Sequence, residues 1–395
     1  MKKDKFLWPL TDASLQLSWR AKLMAVKTLF SNQLTMGSQV LEFEQEFANY
    51  LGAQHAVMTN SGSSANLLAV AALFHHPTRP LHRGDEVIVP AIAWSTTYAP
   101  LAQYGLRLRV VDTEPETLNA DMREVERAWS IHTRLLVGVS VLGEPAALDE
   151  MRKLADARGT WFMEDNCESL GAHLHGKMCG TFGHVSTCST FFTHQLSTIE
   201  GGMLVTNDNK LADLARCLRA HGWARDLLAQ SHLLRDLPLQ RSKGGYRFLL
   251  SGYNLRPTEL QAAIGLAQLK HLETAQSWRR HNAEIFLASF YGHPQFTYPR
   301  HLLGSVPFGF VLIARTPELR ERAFAVMDRA GIEYRMVTGG CFTEHEAAQH
   351  YDYATVGELP NARHVHYCGF FVGNHPRNLS REIAVLKETL EKVTK

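Results

Sequence analysis

The strongest constraint on this chain is the rhythm of its first half. Short apolar, β-branched runs alternate with helical spacing. "HAVMT" (55–59) precedes "SSANLLAVAALF", "EVIVP" ends at Pro90, "LRLRVVD" ends at Asp112, and "TWFME" runs into Asp165. Between them, "RLLVGVSVLG" (134–143) is apolar enough to be covered on both faces, as a central parallel strand is. Strand, helix, strand in this order predicts an α/β fold with a mostly parallel, doubly wound sheet. At 395 residues the chain exceeds one ordinary core. The pattern changes at Arg256, where "RPTELQAAIGLAQLKHLETAQSWRRHNAEIFLASF" reads as one or two long helices with Pro257 in a first turn. Strand-like "FGFVLIA", helical "PELRERAFAVMDRAG" and "IEYRMV" follow. We therefore expect a large α/β domain over residues 1–256, then a linking helix and a smaller C-terminal α+β domain over 257–395. The polar stretch 227–246 reads as a surface loop or flap.

A net charge of +2 gives no polyanion-binding surface, so nucleic acid is not an expected partner. No apolar run approaches the roughly 20 residues of a membrane span. The start, "MKKDKFLWPLTDAS", is broken by Pro9 and makes a poor signal peptide. The six cysteines form no C-x-x-C pair, which argues against a zinc ribbon or an iron–sulfur cluster and fits reduced thiols in the cytoplasm. "HVHYC" (364–368) is explained by alternation on a strand as well as by a metal, and no metal is expected.

Three places carry chemistry. In "TNSGSSANLL" a strand ends, a glycine and hydroxyls follow, and a helix begins at about Ser64. Backbone N–H groups there, with the Ser63 and Ser64 hydroxyls, suit a phosphate; a plain serine cap is the bland alternative. No Walker A lysine accompanies the loop. Asp165 ends an apolar strand, where ligands of open α/β sheets bind, and a carboxylate there can keep a heterocyclic nitrogen protonated or simply cap the next helix. Trp94, in "PAIAWSTTYAP", also follows a strand and can stack on an aromatic ring or pack as a core indole. Phosphate cup, stacking aromatic and aspartate are together the parts of a pyridoxal 5'-phosphate site.

"SGSSANLL", "EDNCESLGA", "GTFG", "STFFTHQLSTIEGGMLVTND" and "GYNLRPTELQAAIGLAQL" occur in that order along nearly the whole chain. In this the sequence resembles the DegT/DnrJ/StrS sugar-nucleotide aminotransferases. The resemblance implies fold type I, with a large domain holding a mostly parallel mixed sheet and a smaller C-terminal α+β domain. Family aminotransferases carry a lysine six residues before the Glu of "EGG", and that lysine binds the cofactor as an imine. Counting back from Glu200 lands on His194. An imidazole forms no stable imine, yet it moves protons near neutral pH.

Within the family, histidine for lysine marks the sugar 3-dehydratases. The likeness in "PAIAWSTTYAPLAQYGL", "RAHGW" and "FFVGNH" is greatest to the branch acting on GDP-4-keto-6-deoxymannose on the way to colitose. The resemblance implies a GDP-linked 4-keto-6-deoxy sugar and L-glutamate as reactants, and pyridoxal and pyridoxamine phosphate as cofactor forms. It implies His194 as the acid/base and Asp165 at the pyridine nitrogen. Gly62, Ser63, Ser64 and Ser189 match its phosphate loop and phosphate-binding serine, and Trp94 the stacking aromatic. Glu168 lies where many relatives have glutamine, on the cofactor's far side. Asn254 matches an asparagine that reaches the neighbouring subunit's phosphate, which requires a homodimer with a shared site. Thr193, His221, Arg225, Glu333 and Arg335 are expected near the substrate, Thr193 to orient and Arg335 to pair with a carboxylate or diphosphate. The related CDP-sugar enzyme uses closely spaced cysteines for an iron–sulfur cluster, and such cysteines are absent here. A 4-aminotransferase and a non-catalytic relative stay open as alternatives.

Overall fold

The computed structural model describes residues 6–11, 17–227, 230–234, 246–300 and 303–394. The first elements are α1 (Trp19–Leu29), α2 (Ser38–Leu51), β1 (His55–Thr59), α3 (Gly62–Phe74), β2 (Glu86–Pro90), α4 (Ser95–Gln103) and β3 (Arg107–Val111). Next come α5 (Met122–Ala128), β4 (Thr133–Val139), α6 (Leu148–Ala157), β5 (Trp161–Asp165), β6 (His173–Leu174), β7 (Lys177–Met178), β8 (Val185–Ser189), β9 (Gly202–Thr206) and α7 (Asn209–Arg219). Then follow α8 (Glu259–Leu269), α9 (Leu272–Phe290), β10 (Phe296–Thr297), β11 (Gly309–Ala314), α10 (Pro317–Ala330) and β12 (Tyr334–Arg335). The last are β13 (Tyr353–Thr355), α11 (Pro360–Cys368), β14 (Gly369–Gly373) and α12 (Ser380–Glu391).

Eight strands form one sheet in the order β1-β9-β8-β5-β4-β2-β3-β13. Only β9 runs antiparallel to its neighbours, so the ends of β1, β2, β5 and β8 share one edge with the start of β9. The apolar run 134–143 supplies β4, flanked by β2 and β5 as its two-sided burial requires. A second, four-stranded antiparallel sheet has the order β10-β11-β14-β12. All six residues of β11 are buried. The two sheets exchange chain: β13 adds to the large sheet beside β3, while Trp8 packs edge-on against Phe310 and donates its indole N–H to Gly373 O at 3.0 Å. Burying such an indole is worth about 2–3 kcal/mol.

Several local readings are corrected. "HVHYC" lies on helix α11, not on a strand: Pro360 occupies its first turn, and Ala362, Val365 and Cys368 are buried at three-residue spacing. Pro257 sits outside α8; Thr258 is the cap, in a capping box with Gln261. The helix of the glycine-serine loop begins at Gly62 with Ser61 as its cap. Most of the proposed flap, residues 228–229 and 235–245, lies outside the described residues. Of the rest, Ser231 donates to Asp213 at 2.8 Å and tethers the short turn His232–Leu234 to α7. Among the described residues, no helix is long and apolar enough to cross a membrane.

Candidate active site

The chemistry-bearing residues gather along the shared strand edge. Ser61 accepts the Ser64 N–H at 3.0 Å and donates to the Ser64 hydroxyl at 2.9 Å, which fixes the first turn of α3. The Ser63 hydroxyl meets Thr96 at 2.8 Å, joining this turn to the start of α4 beside Trp94. From β8, Ser189 closes on the same turn: a Cβ on Gly62 would stand 2.6 Å from the Ser189 Cβ. A Cβ on Gly202 would lie 2.3 Å from Ser61 O. Only glycines allow this approach of hydroxyls to a helix start whose first N–H groups lack intrahelical acceptors. A phosphate fits the cradle.

Asp165 ends β5 and is 4% exposed. Its Oδ2 accepts from Asn66 Nδ2 at 2.9 Å and Thr97 Oγ1 at 2.8 Å; its Oδ1 accepts the Cys167 N–H at 3.1 Å. Asn66 is held in turn by Thr187 Oγ1 at 2.6 Å. Two helix starts and two strand ends thus aim one carboxylate, a fitting partner for a protonated ring nitrogen. Sequence reasoning missed Asn66, Thr97 and Thr187. One signal was available: Asn66 is a polar residue one turn after Ser63 in an otherwise apolar helix.

His194 stands in the tight turn that follows β8, where its N–H bonds Phe191 O at 3.0 Å. Its Nδ1 lies 2.5 Å from Cys167 O. A carbonyl only accepts, so the neutral ring carries its proton on Nδ1 and leaves the Nε2 lone pair free. Phe191 and Phe308 pack edge-on at 6.0 and 5.3 Å. Burial pushes the imidazole down to about 4; the Cys167 carbonyl and Asp165 oppose this, and Arg279 adds to it. The ring is therefore a neutral base across the physiological range. Thr193 belongs to the same turn.

Glu168 follows on the loop from Asp165 and accepts the Leu142 N–H at 2.9 Å. Leu142 itself is held at a positive φ of 48°. Trp94 caps α4 at the same sheet edge and is 56% exposed; its neighbour Ala93 abuts Gly339 of the loop after β12.

The remaining expected residues make their contacts elsewhere. His221, at φ 65°, donates its N–H to Tyr253 O at 2.6 Å. Arg225 lies over the Trp223 ring at 4.0 Å and pairs with Asp226. Asn254 is exposed, and its Oδ1 accepts from Arg256 at 3.0 Å. The next residue, Leu255, accepts the Asn60 N–H beside the phosphate cradle. Glu333 accepts the Leu10 N–H and lies 3.5 Å from Arg335 at the edge of the small sheet.

Fold and site together define a cofactor-dependent enzyme of the aminotransferase class whose covalent lysine is replaced. The chain belongs to the DegT/DnrJ/EryC1/StrS aminotransferase family, whose model matches residues 19–386. It is 40% identical over 397 residues to GDP-4-keto-6-deoxy-D-mannose 3-dehydratase of Yersinia pseudotuberculosis, covering 99% of this chain and all of that one. The E. coli GDP-4-keto-6-deoxy-D-mannose-3-dehydratase with bound hydrated PLP superposes with a TM-score of 0.93 at 38% identity, covering 98% of this chain and 100% of the other. A structure of GDP-4-keto-6-deoxymannose-3-dehydratase with a trapped PLP-glutamate geminal diamine gives 0.92 at 38% identity, over 97% and 100%.

Proposed function

We propose that this chain is a hydro-lyase that removes the C3 hydroxyl of GDP-4-keto-6-deoxy-D-mannose, yielding the 4-keto-3,6-dideoxy sugar in a reaction that consumes L-glutamate. The single observation that carries this reading is His194 at the lysine's position, neutral, with Nε2 free. Bound there, pyridoxal phosphate would supply the carrier for the amino group of glutamate and the electron sink for elimination at C3.

The chain's own residues do the rest. Gly62, Ser63, Ser64 and Ser189 hold the phosphate. Asp165, aimed by Asn66 and Thr97, keeps the ring nitrogen protonated and the ring electron-poor. Trp94 stacks against the ring. His194 Nε2 takes a proton from carbon and returns it, while Nδ1–H stays on the Cys167 carbonyl and fixes the plane of the imidazole. Because His194 has no amine, the protein offers no nucleophile there to displace the sugar and divert it to an amino sugar. Thr193 orients His194. His221, Arg225, Glu333 and Arg335 meet substrate at the rim.

The enzyme works as a homodimer in the cytoplasm. Trp19, Leu23 and Val26 on α1, with Phe30 just after it, leave one apolar face exposed, which suits a second copy. Asn254 then reaches the partner's phosphate from its exposed position. Functionally the chain divides near residue 256 into a cofactor-binding part and a small domain that covers the site. The dideoxy sugar product fits supply of a surface polysaccharide.

The test is incubation of purified protein with pyridoxal phosphate, L-glutamate and GDP-4-keto-6-deoxymannose, followed by mass spectrometry of the sugar nucleotide. Loss of the C3 oxygen with the ketone kept and ammonia released supports the reading. A 4-amino sugar overturns it.

A further inference from the structure

Two carboxyls three residues apart sit at the end of β5, and the fold treats them in opposite ways. Asp165 accepts three hydrogen bonds, from Asn66, Thr97 and the Cys167 N–H. Glu168 accepts one, from Leu142 N–H to Oε2 at 2.9 Å; its Oε1 has no donor among the described residues and is not sealed from the cleft. A carboxylate is held ionised by donors, and two anions this near oppose each other. The negative charge therefore belongs on Asp165. Glu168 is left with one oxygen accepting and the other free to carry a proton.

The surroundings place that proton in the site. Leu142, which bonds Glu168, also accepts the Phe308 N–H at 2.9 Å, and Phe308 packs on His194. Gln195, next to His194, donates to the main-chain carbonyl of Glu168 at 2.5 Å. Asp165 acts on Glu168 from its own turn; beyond Leu142, Phe308 packs on His194 and accepts at its carbonyl from Arg279 of α9.

We propose that Glu168 enters the site as a neutral carboxylic acid, a hydrogen-bond donor from its open oxygen, opposite in protonation to Asp165. This rests on the cofactor-dependent reading above and assigns Glu168 a positioning role: the proton is held, not transferred. Burial pushes the carboxyl up to about 8, against the Leu142 N–H and with the help of Asp165. Its neighbours leave that region clear, since His194 is lowered to about 4, Arg279 to about 10, and the Cys167 thiol is pushed well above its ordinary value. A transition near pH 8 therefore reports Glu168.

The experiment compares holoenzyme and Glu168→Gln holoenzyme, both labelled with glutamate carrying 13C at the δ carbon. Infrared difference spectra should show a protonated carboxyl at pH 6.5 that disappears with a midpoint near 8 and is missing in E168Q. The absorbance of the bound cofactor should shift through the same midpoint in wild type and stay flat in E168Q, whatever rate the variant retains. A Glu168 carboxyl already ionised at pH 6.5, or an E168Q spectrum that follows the wild-type transition, overturns the proposal. Because the infrared signal reads the protein directly, failure of sugar dehydration would leave this result standing, and the two readings fail separately.

Discussion

If His194 is a buried neutral base, acid should affect the enzyme far later than it affects an ordinary histidine. The ring is lowered to about 4 by burial under Phe191 and Phe308. At pH 5.5 such a group is about 97% neutral, whereas an ordinary imidazole of pKa about 6.5 is only about 9% neutral. The wild-type kcat/KM for the sugar, measured between pH 7.5 and 5.5 with saturating glutamate, should therefore stay nearly level. Opening the site with Phe308→Ala should admit water to the ring and raise its pKa toward the free value. The variant's kcat/KM should then fall up to about 10-fold over the same interval, with the acid limb displaced by as much as about 2.5 units. Phe308 is only half-buried, so the fold should survive, at a cost of about 2 kcal/mol. A wild-type limb with a midpoint near 6.5 would refute the reasoning, because the base would then be solvated or not His194. An unchanged limb in F308A would show that burial by this ring is not the cause.

Three further outcomes follow from the same geometry. Gly62→Ala forces a Cβ to 2.6 Å from that of Ser189, so the cradle must open; cofactor affinity, followed by absorbance on titration, should fall at least about 10-fold. Acid should unfold the protein early: His194 and the partly buried His184 are each lowered to about 4, so the unfolded chain gains protons first as pH drops below about 6.5. Stability is then fully present above about 6.5 and lost toward 4; between pH 7.5 and 5 the His194 ring alone should cost about 2 kcal/mol in urea melts, with His184 adding in the same direction. Leu23→Lys with Phe30→Lys puts two charges on the exposed face formed by α1 and the residue after it, and sedimentation should find a monomer with little activity; a dimer as stable as wild type would move the interface elsewhere.

The sheet was legible because short apolar runs bounded by turn residues read as strands buried on both faces without knowledge of neighbours. β1 to β5 appear where "HAVMT", "EVIVP", "LRLRVV", "RLLVGV" and "WFMED" stand. What failed was short-range. "HVHYC" alternates like a strand, but Pro360 and the left-handed Leu359 start a helix before it, and burial every third residue then decides the outcome. The exchange of β13 and Trp8 between sheets is a long-range packing result with no local signature. In the candidate site, residues attached to motifs were found and those acting through them were not. Asn66, Thr97 and Thr187 come from separate elements and share only Asp165. Phe308 comes from the small domain and meets His194 only after folding.

Replacing the lysine has a structural consequence as well as a chemical one. A covalent tether would tolerate a loose phosphate site, since the cofactor could not leave. With His194 in that place, retention in the proposed enzyme rests on non-covalent contacts alone, the hydrogen bonds among them each worth about 1.5–3 kcal/mol when one partner is charged. The cradle answers this with rigidity: Gly62 and Gly202 admit contacts no side chain would allow, and Ser61 and Thr96 lock the hydroxyls that face the phosphate. The same economy governs the ring. Asp165 is fixed by three donors and His194 by one carbonyl, so neither has to reorganise when the ligand arrives. A histidine there is therefore tolerable only in a site already built to hold its cofactor without a bond.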